Sequence, residues 1–168
     1  VIQADGSAPN WTATASAVSP SVVAITATSA QGGGQGSGVI IDSSGYVLTN
    51  NPVVAGAQEL TVTTSDGRTF AAEIRGTDPS TDLAVITITG NPSNLTPIAV
   101  GDSDAIAVGD PVMAVGNPLG LAGTVTTGIV SALNRPVTTQ GESSGQDQFG
   151  QAQSQAEPVV TNAIQTSA

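Results

Sequence analysis

From Pro20 onward the chain is cut into short β-branched runs at near-regular intervals, and no other feature constrains the fold as strongly. SVVAITAT (21–28), SGVIID (37–42), GYVLTN (45–50), ELTVTT (59–64), RTFAAEIRG (68–76) and DLAVITIT (82–89) all have strand length. QGGGQG, DSSG, SDG and GTDPSTD lie among them and supply the glycine, aspartate or proline that tight connections require. No long helical period interrupts the series, which predicts an all-β sandwich or barrel. After NPSNLTP a second set begins with PIAVGD, followed by DPVMAVGN (110–117), GTVTTGIVSAL (123–133) and VVTNAIQT (159–166). Some four strands are too few to close a second barrel comfortably.

This texture divides the chain into an N-terminal arm (1–19), a first barrel (20–92) and a partial second barrel (93–168). In the arm Trp11 is the only large apolar anchor, so order there is expected only where something covers the indole. Between the last two predicted strands lies a Gln/Gly/Ser-rich stretch, expected to be flexible over 138–157, with Phe149 the one residue able to dock.

Aromatic residues make up 2% of the chain and charged residues 10%, so the core has to be built from small and β-branched side chains. The net charge is −10, with Arg68, Arg75 and Arg135 the only cations and no lysine. Nucleic acid and anionic membrane surfaces are poor partner candidates, and no nucleic acid is expected, because neither phosphate neutralisation nor a polybasic patch is available. Without cysteine there is no disulfide frame, no thiolate and no cysteine-type zinc site; no cofactor and no metal are expected. No apolar run approaches the roughly 20 residues of a membrane span, and the start VIQADGSAPN has no basic leader region. Asn10 and Asn94 open glycosylation triplets, which matter only in a secretory eukaryotic setting.

Chemistry can be narrowed by count. Histidine, lysine and cysteine are all absent, which removes Ser-His, Ser-Lys and Cys-based nucleophilic machinery. Asp82, Asp102, Asp104 and Asp110 remain as acid/base candidates. The segment GDSDAIAVGD, however, reads as turn chemistry with aspartates bonding nearby amides, and it lacks the spacing of a calcium loop. QGGGQGSG lacks the lysine of a phosphate loop and reads as a flexible connection between strands. In LTNNPVVAG, Asn50 or Asn51 is the expected N-cap of a helical turn with Pro52 at its first position, where proline avoids the roughly 3 kcal/mol cost of a helix interior.

SPSVVAI, GSGVIIDSSGYVLTNN, SDGRTFAAEIRGTDPSTDLAVI, VGDSDAIAVGDPVMAVGNPLGLAGTVTTGIVSALNRP and NAIQT together resemble the protease domain of the HtrA (DegP-like) serine proteases, especially actinobacterial ones. The resemblance implies a trypsin-like double β-barrel with the active site between the barrels; here the first barrel is expected to be complete and the second partial. It places Pro52 at the general-base position, since the family pattern TNNHVV reads TNNPVV here, and makes Asp82 of TDLAV the surviving member of the triad. The family's nucleophile loop follows IQTDAAINP. This sequence reaches IQTSA, with Ser167 at the aspartate, so that loop, the closing strands and the PDZ domain are absent from these residues. The implied function is a catalytically inactive, pseudoprotease domain that binds unfolded or extended polypeptide or a complementing chain. The alternative is one piece of a serine endopeptidase whose nucleophile segment is a separate or removed chain. An extracytoplasmic location, a role in protein quality control and a homo-trimer built through the arm at Trp11 are implied in the same way.

Overall fold

The computed structural model describes residues 8–117, 123–139 and 159–168. The first set of runs forms β1 (Val22–Ser29), β2 (Gly32–Ile40), β3 (Tyr46–Asn50), β4 (Glu59–Thr63), β5 (Thr69–Asp78) and β6 (Leu83–Ile88). They close an antiparallel barrel in the order β1-β2-β3-β6-β5-β4. Alternate residues point inward, as a strand's period of two requires: Val23 and Ile25 from β1, Val47 from β3, Val62 from β4 and Ile86 from β6 are completely buried. A six-stranded ring leaves room only for side chains, which is why a core almost free of aromatics suffices.

The second set pairs less completely. β7 (Pro111–Gly116), β8 (Thr124–Thr139) and β9 (Val159–Thr166) form a three-stranded antiparallel sheet in the order β7-β8-β9. Val130 is buried, whereas Val125, Ile129, Val137 and Ile164 are 41–48% exposed. A closed barrel beside a partial sheet is the all-β architecture that the strand pattern predicts. The Asn117 amide, just past β7, donates to Ser37 Oγ of the barrel at 2.8 Å, and the Ile98 amide of the connecting segment donates to the Ile40 carbonyl at 2.8 Å.

Three local expectations require correction. PIAVGD is not a strand: Pro97 has no N–H to donate, Ile98 makes the single bond to Ile40, and Val100 is 85% exposed. QGGGQG is not a flexible connection. The turn is Ala30–Gln31 alone, and Gly32 to Gly36 belong to β2, opposite Ser29, Thr28, Ala27, Thr26 and Ile25. The β-branched partners in β1 supply the pleat, and the glycines contribute only backbone bonds. Within the segment expected to be flexible, Thr138 and Thr139 are strand, while 140–157 with Phe149 lies outside the described residues. The arm, for which the sequence set order only where the indole is covered, contains a helix, α1 (Trp11–Val18), whose N-cap Asn10 accepts from the Ala13 amide at 3.0 Å. No α1 residue is buried; Trp11, Ala15 and Val18 are half-buried at helical spacing.

The exit from the first barrel is clamped by Arg68. Its guanidinium pairs with Asp66 at 2.8 Å, donates to the carbonyls of Ser93 at 2.5 Å and Asn94 at 3.0 Å, and lies 5.6 Å from the centre of the Phe70 ring.

Candidate active-site region

β3 ends at Asn50, and the chain turns at once into a four-residue helix, α2 (Asn51–Val54). Pro52 occupies its first turn, where backbone N–H groups have no intrahelical acceptor, so the missing donor costs nothing. The turn is closed by the Ala55 amide donating to the Asn51 carbonyl at 2.9 Å. Val54 is completely buried and plugs the barrel end. Val53 lies flat on Gly36 of β2: a Cβ there would sit 2.7 Å from a Val53 methyl, so only glycine seats α2 this closely.

The structure brings Asp82 to this turn. Asn50 faces Leu83 in the β3–β6 pairing, which carries the preceding residue to the start of α2. The Asp82 carbonyl accepts from the Asn51 amide at 3.0 Å and from Asn50 Nδ2 at 3.1 Å. Asp82 itself is half-buried and has φ +61°, in the left-handed region that few non-glycine residues adopt. Asn50 is the N-cap by position but makes no capping bond; its Nδ2 donates to the Asp82 carbonyl.

The remaining candidates stand elsewhere. Asp102 Oδ1 accepts from the Asp104 amide at 3.0 Å, and Asp110 Oδ2 accepts from the Ala107 amide at 2.8 Å, the turn chemistry read from the sequence. Ser167 is committed to β8: its Oγ accepts from the Ile129 amide at 3.0 Å and its amide donates to the Ile129 carbonyl at 3.1 Å. Gly128 makes that crossing possible, since a Cβ there would come within 2.4 Å of the Ala168 nitrogen.

Two concavities flank the site. An apolar cleft of 460 Å³ opens among α1, β2, β3, β6 and β7, lined by Val18, Val39, Leu48, Leu83 and Met113, with Asn50 at its polar side. A recess of 250 Å³ lies against α2, between Pro52, Val53 and Ala55 on one side and Gly32, Gly33 and Gly34 on the other.

Residues 36–167 match the trypsin-like peptidase domain family. The chain is a trypsin-like peptidase domain. This HtrA-type domain is 46% identical over 163 residues to the serine protease PepD of Mycobacterium tuberculosis, covering 92% of this chain and 32% of that protein. It is 56% identical over 112 residues to the periplasmic serine endoprotease DegP of Escherichia coli K12, covering 62% of this chain and 23% of DegP. The trypsin-like domain thus spans a third or less of the length of these relatives. Among solved structures it superposes on the HtrA-type protease AlgW with tripeptide at a TM-score of 0.70 and 42% identity, covering 76% of this chain and 41% of AlgW. A variant of AlgW with tripeptide gives 0.67 and 44%, covering 72% and 39%.

Sequence reasoning missed two contributors to this trypsin-like site. Gly36 carried no usable signal, because it closes a stretch, QGGGQG, with the composition of a loop, and a glycine marks a close backbone approach only once it is known to lie in a strand. Asn50 carried none, because an asparagine ahead of a helical turn reads as an ordinary cap.

Proposed function

We propose that this domain binds extended polypeptide without hydrolysing it. The observation that carries the binding part is the outer edge of β2. Ser29 and Gly32 close a two-residue hairpin, and Thr49 Oγ1 donates to the Ser37 carbonyl from the β3 side at 2.8 Å. Both place the backbone groups of Gly33 and Gln35, two and four residues before Ser37, on the side away from β1. β3 pairs only with Val39 and Ile40, so among the described residues Gly33 and Gln35 have no ladder partner there. A free edge beside the Pro52 recess, carrying almost no side chains, suits main-chain pairing with an extended segment.

The inactive part rests on Pro52. Proline has no proton-accepting group, and these 168 residues hold no histidine, lysine or cysteine to take its place. Losing the base of a serine protease costs about 10⁶ in turnover, so Asp82 as the surviving triad member has nothing to orient. The test is titration of a labelled unstructured peptide beside an assay of its cleavage. Saturable micromolar binding without turnover is expected, and Gln35→Pro, which removes the outward N–H, weakens binding at least tenfold. Turnover by this chain, or no saturation at high micromolar peptide, overturns the proposal.

The exposed Val125, Ile129 and Val137 of β8 favour a second reading, in which a complementing polypeptide covers the sheet and the domain is one piece of a serine endopeptidase. Native mass spectrometry would reveal such a partner. The half-buried stripe of Trp11, Ala15 and Val18 on α1 supports a homo-trimer formed through the arm, which Trp11→Ala should dissociate in light scattering. An extracytoplasmic location follows from the periplasmic relatives, and a quality-control role from polypeptide capture.

A further inference from the structure

We infer that Asn50 is a positioning residue whose side chain fixes Asp82 relative to residue 52. The inference rests on the proposed roles of Pro52 and Asp82 and goes beyond them by naming what maintains their relation. Three observations carry it. Asn50 stands at an N-cap, where an asparagine ordinarily accepts from the first-turn amides, yet it makes no such bond. Its Nδ2 donates instead to the Asp82 carbonyl at 3.1 Å, beside the Asn51 amide at 3.0 Å, so two donors occupy the acceptor capacity of one oxygen. Asp82 has φ +61°, a left-handed conformation that aspartate tolerates better than most residues yet still less easily than an extended or helical one, so a hydrogen bond to its carbonyl can tip the balance.

The consequence is mechanical. Because the Asn51 amide belongs to the first turn of α2, the turn that carries Pro52 and the backbone that carries Asp82 share one hydrogen-bonded junction. Releasing Asn50 leaves that carbonyl with one donor and lets the Asp82 backbone leave the left-handed region, which redirects its side chain relative to α2. The domain therefore retains the support of a base-orienting aspartate although residue 52 is a proline.

The test uses Pro52→His, which introduces the only histidine of the chain, so its imidazole can be titrated by NMR without overlap. An aspartate aimed at that ring raises its pKa above the ordinary value of about 6.5 by roughly one unit or more. Adding Asp82→Asn abolishes the rise, and adding Asn50→Ala removes at least half of it while the amide spectrum of the barrel is unchanged. Asp78, Glu73 and Arg75 on β5 and Tyr46 on β3 are the same in every variant, so their effects cancel in the differences. A rise that survives Asn50→Ala overturns the positioning role; an imidazole indifferent to Asp82→Asn overturns the pairing as well. Peptide binding by the unsubstituted chain does not depend on either result, which separates this inference from the proposed function. Should Pro52→His not fold, the backbone coupling of Asp82 is measured with and without Asn50→Ala. A φ that stays left-handed without the Asn50 amide refutes the inference, and one that relaxes supports it.

Discussion

The closed barrel and the three-stranded sheet are made from the same residue types and reach opposite states. In the barrel every strand has two neighbours, and one ring of aliphatic side chains buries itself completely. In the sheet, among the described residues, β8 alone has two neighbours, and Val130 is buried while four other aliphatic residues stand 41–48% exposed. Composition therefore does not decide burial; closure does. A chain poor in aromatics can stabilise a small ring, because none of its fully buried side chains is larger than isoleucine and a single phenylalanine, Phe70, packs half-buried against them. A second layer with an open side would need either bulk or a cover.

Core truncation separates the two regions most sharply. Ile86→Ala should cost about 2–5 kcal/mol in denaturant unfolding, the range for large-to-small changes in a packed interior. Ile164→Ala, at a position 45% exposed, should cost within about 0.5 kcal/mol. Equal losses would mean that the sheet is covered and that the contrast is false. Next in size is Gly36→Ala, which forces a methyl against Val53 and should destabilise by about 1–3 kcal/mol. The double variant with Val53→Ala should recover most of that loss, and a double-mutant cycle measures the coupling. Amide exchange then tests the contrast without substitution: β9 amides should exchange at least tenfold faster than those of β1 and β6, through openings that leave the barrel intact.

The smallest effect is electrostatic. Asp42 and Asp78 are held below their ordinary value of 3.8 chiefly by the hydroxyls of Ser44 and Ser80. Asp66 is held below 3.8 chiefly by the hydroxyl of Thr64, then by Arg68, against some desolvation. Carboxyls whose values fall on folding add stability above the unfolded value, and that contribution disappears as the pH drops through the folded values. Between about pH 7 and pH 5 these groups should leave thermal midpoints unchanged. The decline belongs below 3.8, and Ser44→Ala with Ser80→Ala should flatten it. All three belong to the barrel, Asp42 and Asp66 on its turns and Asp78 at the end of β5, so exchange at β9 should be insensitive to it.

The barrel was legible because alternation and turn chemistry agree at each step, from Val22 to Ile88. Reading failed where neighbours decide. PIAVGD has the composition of a strand, yet Pro97 and the lack of a partner leave it as irregular chain; QGGGQG has the composition of a loop, yet β1 makes it a strand. The turn at Pro52 was readable because proline's preferences are local. The junction at Asp82 was not, since it depends on Asn50 meeting a residue 32 positions later in the chain.

The glycine stretch of β2 has one more consequence. A strand without side chains carries no register of its own, since sliding it by one residue moves no apolar group from inside to outside. Its alignment must be imposed from the ends. At one end the Ala30–Gln31 turn, with Ser29 Oγ donating to the Gly32 carbonyl at 2.8 Å, sets where the ribbon starts. At the other, Gly38 is wedged between Ile25 and Val47, where a Cβ would meet both at 2.8 Å. A slip by one position would bring Ser37 or Val39 into that space and draw Gly36 from beneath Val53. The blankest segment of the sequence is therefore aligned by what surrounds it, and the outward backbone of Gly33 and Gln35 inherits that alignment.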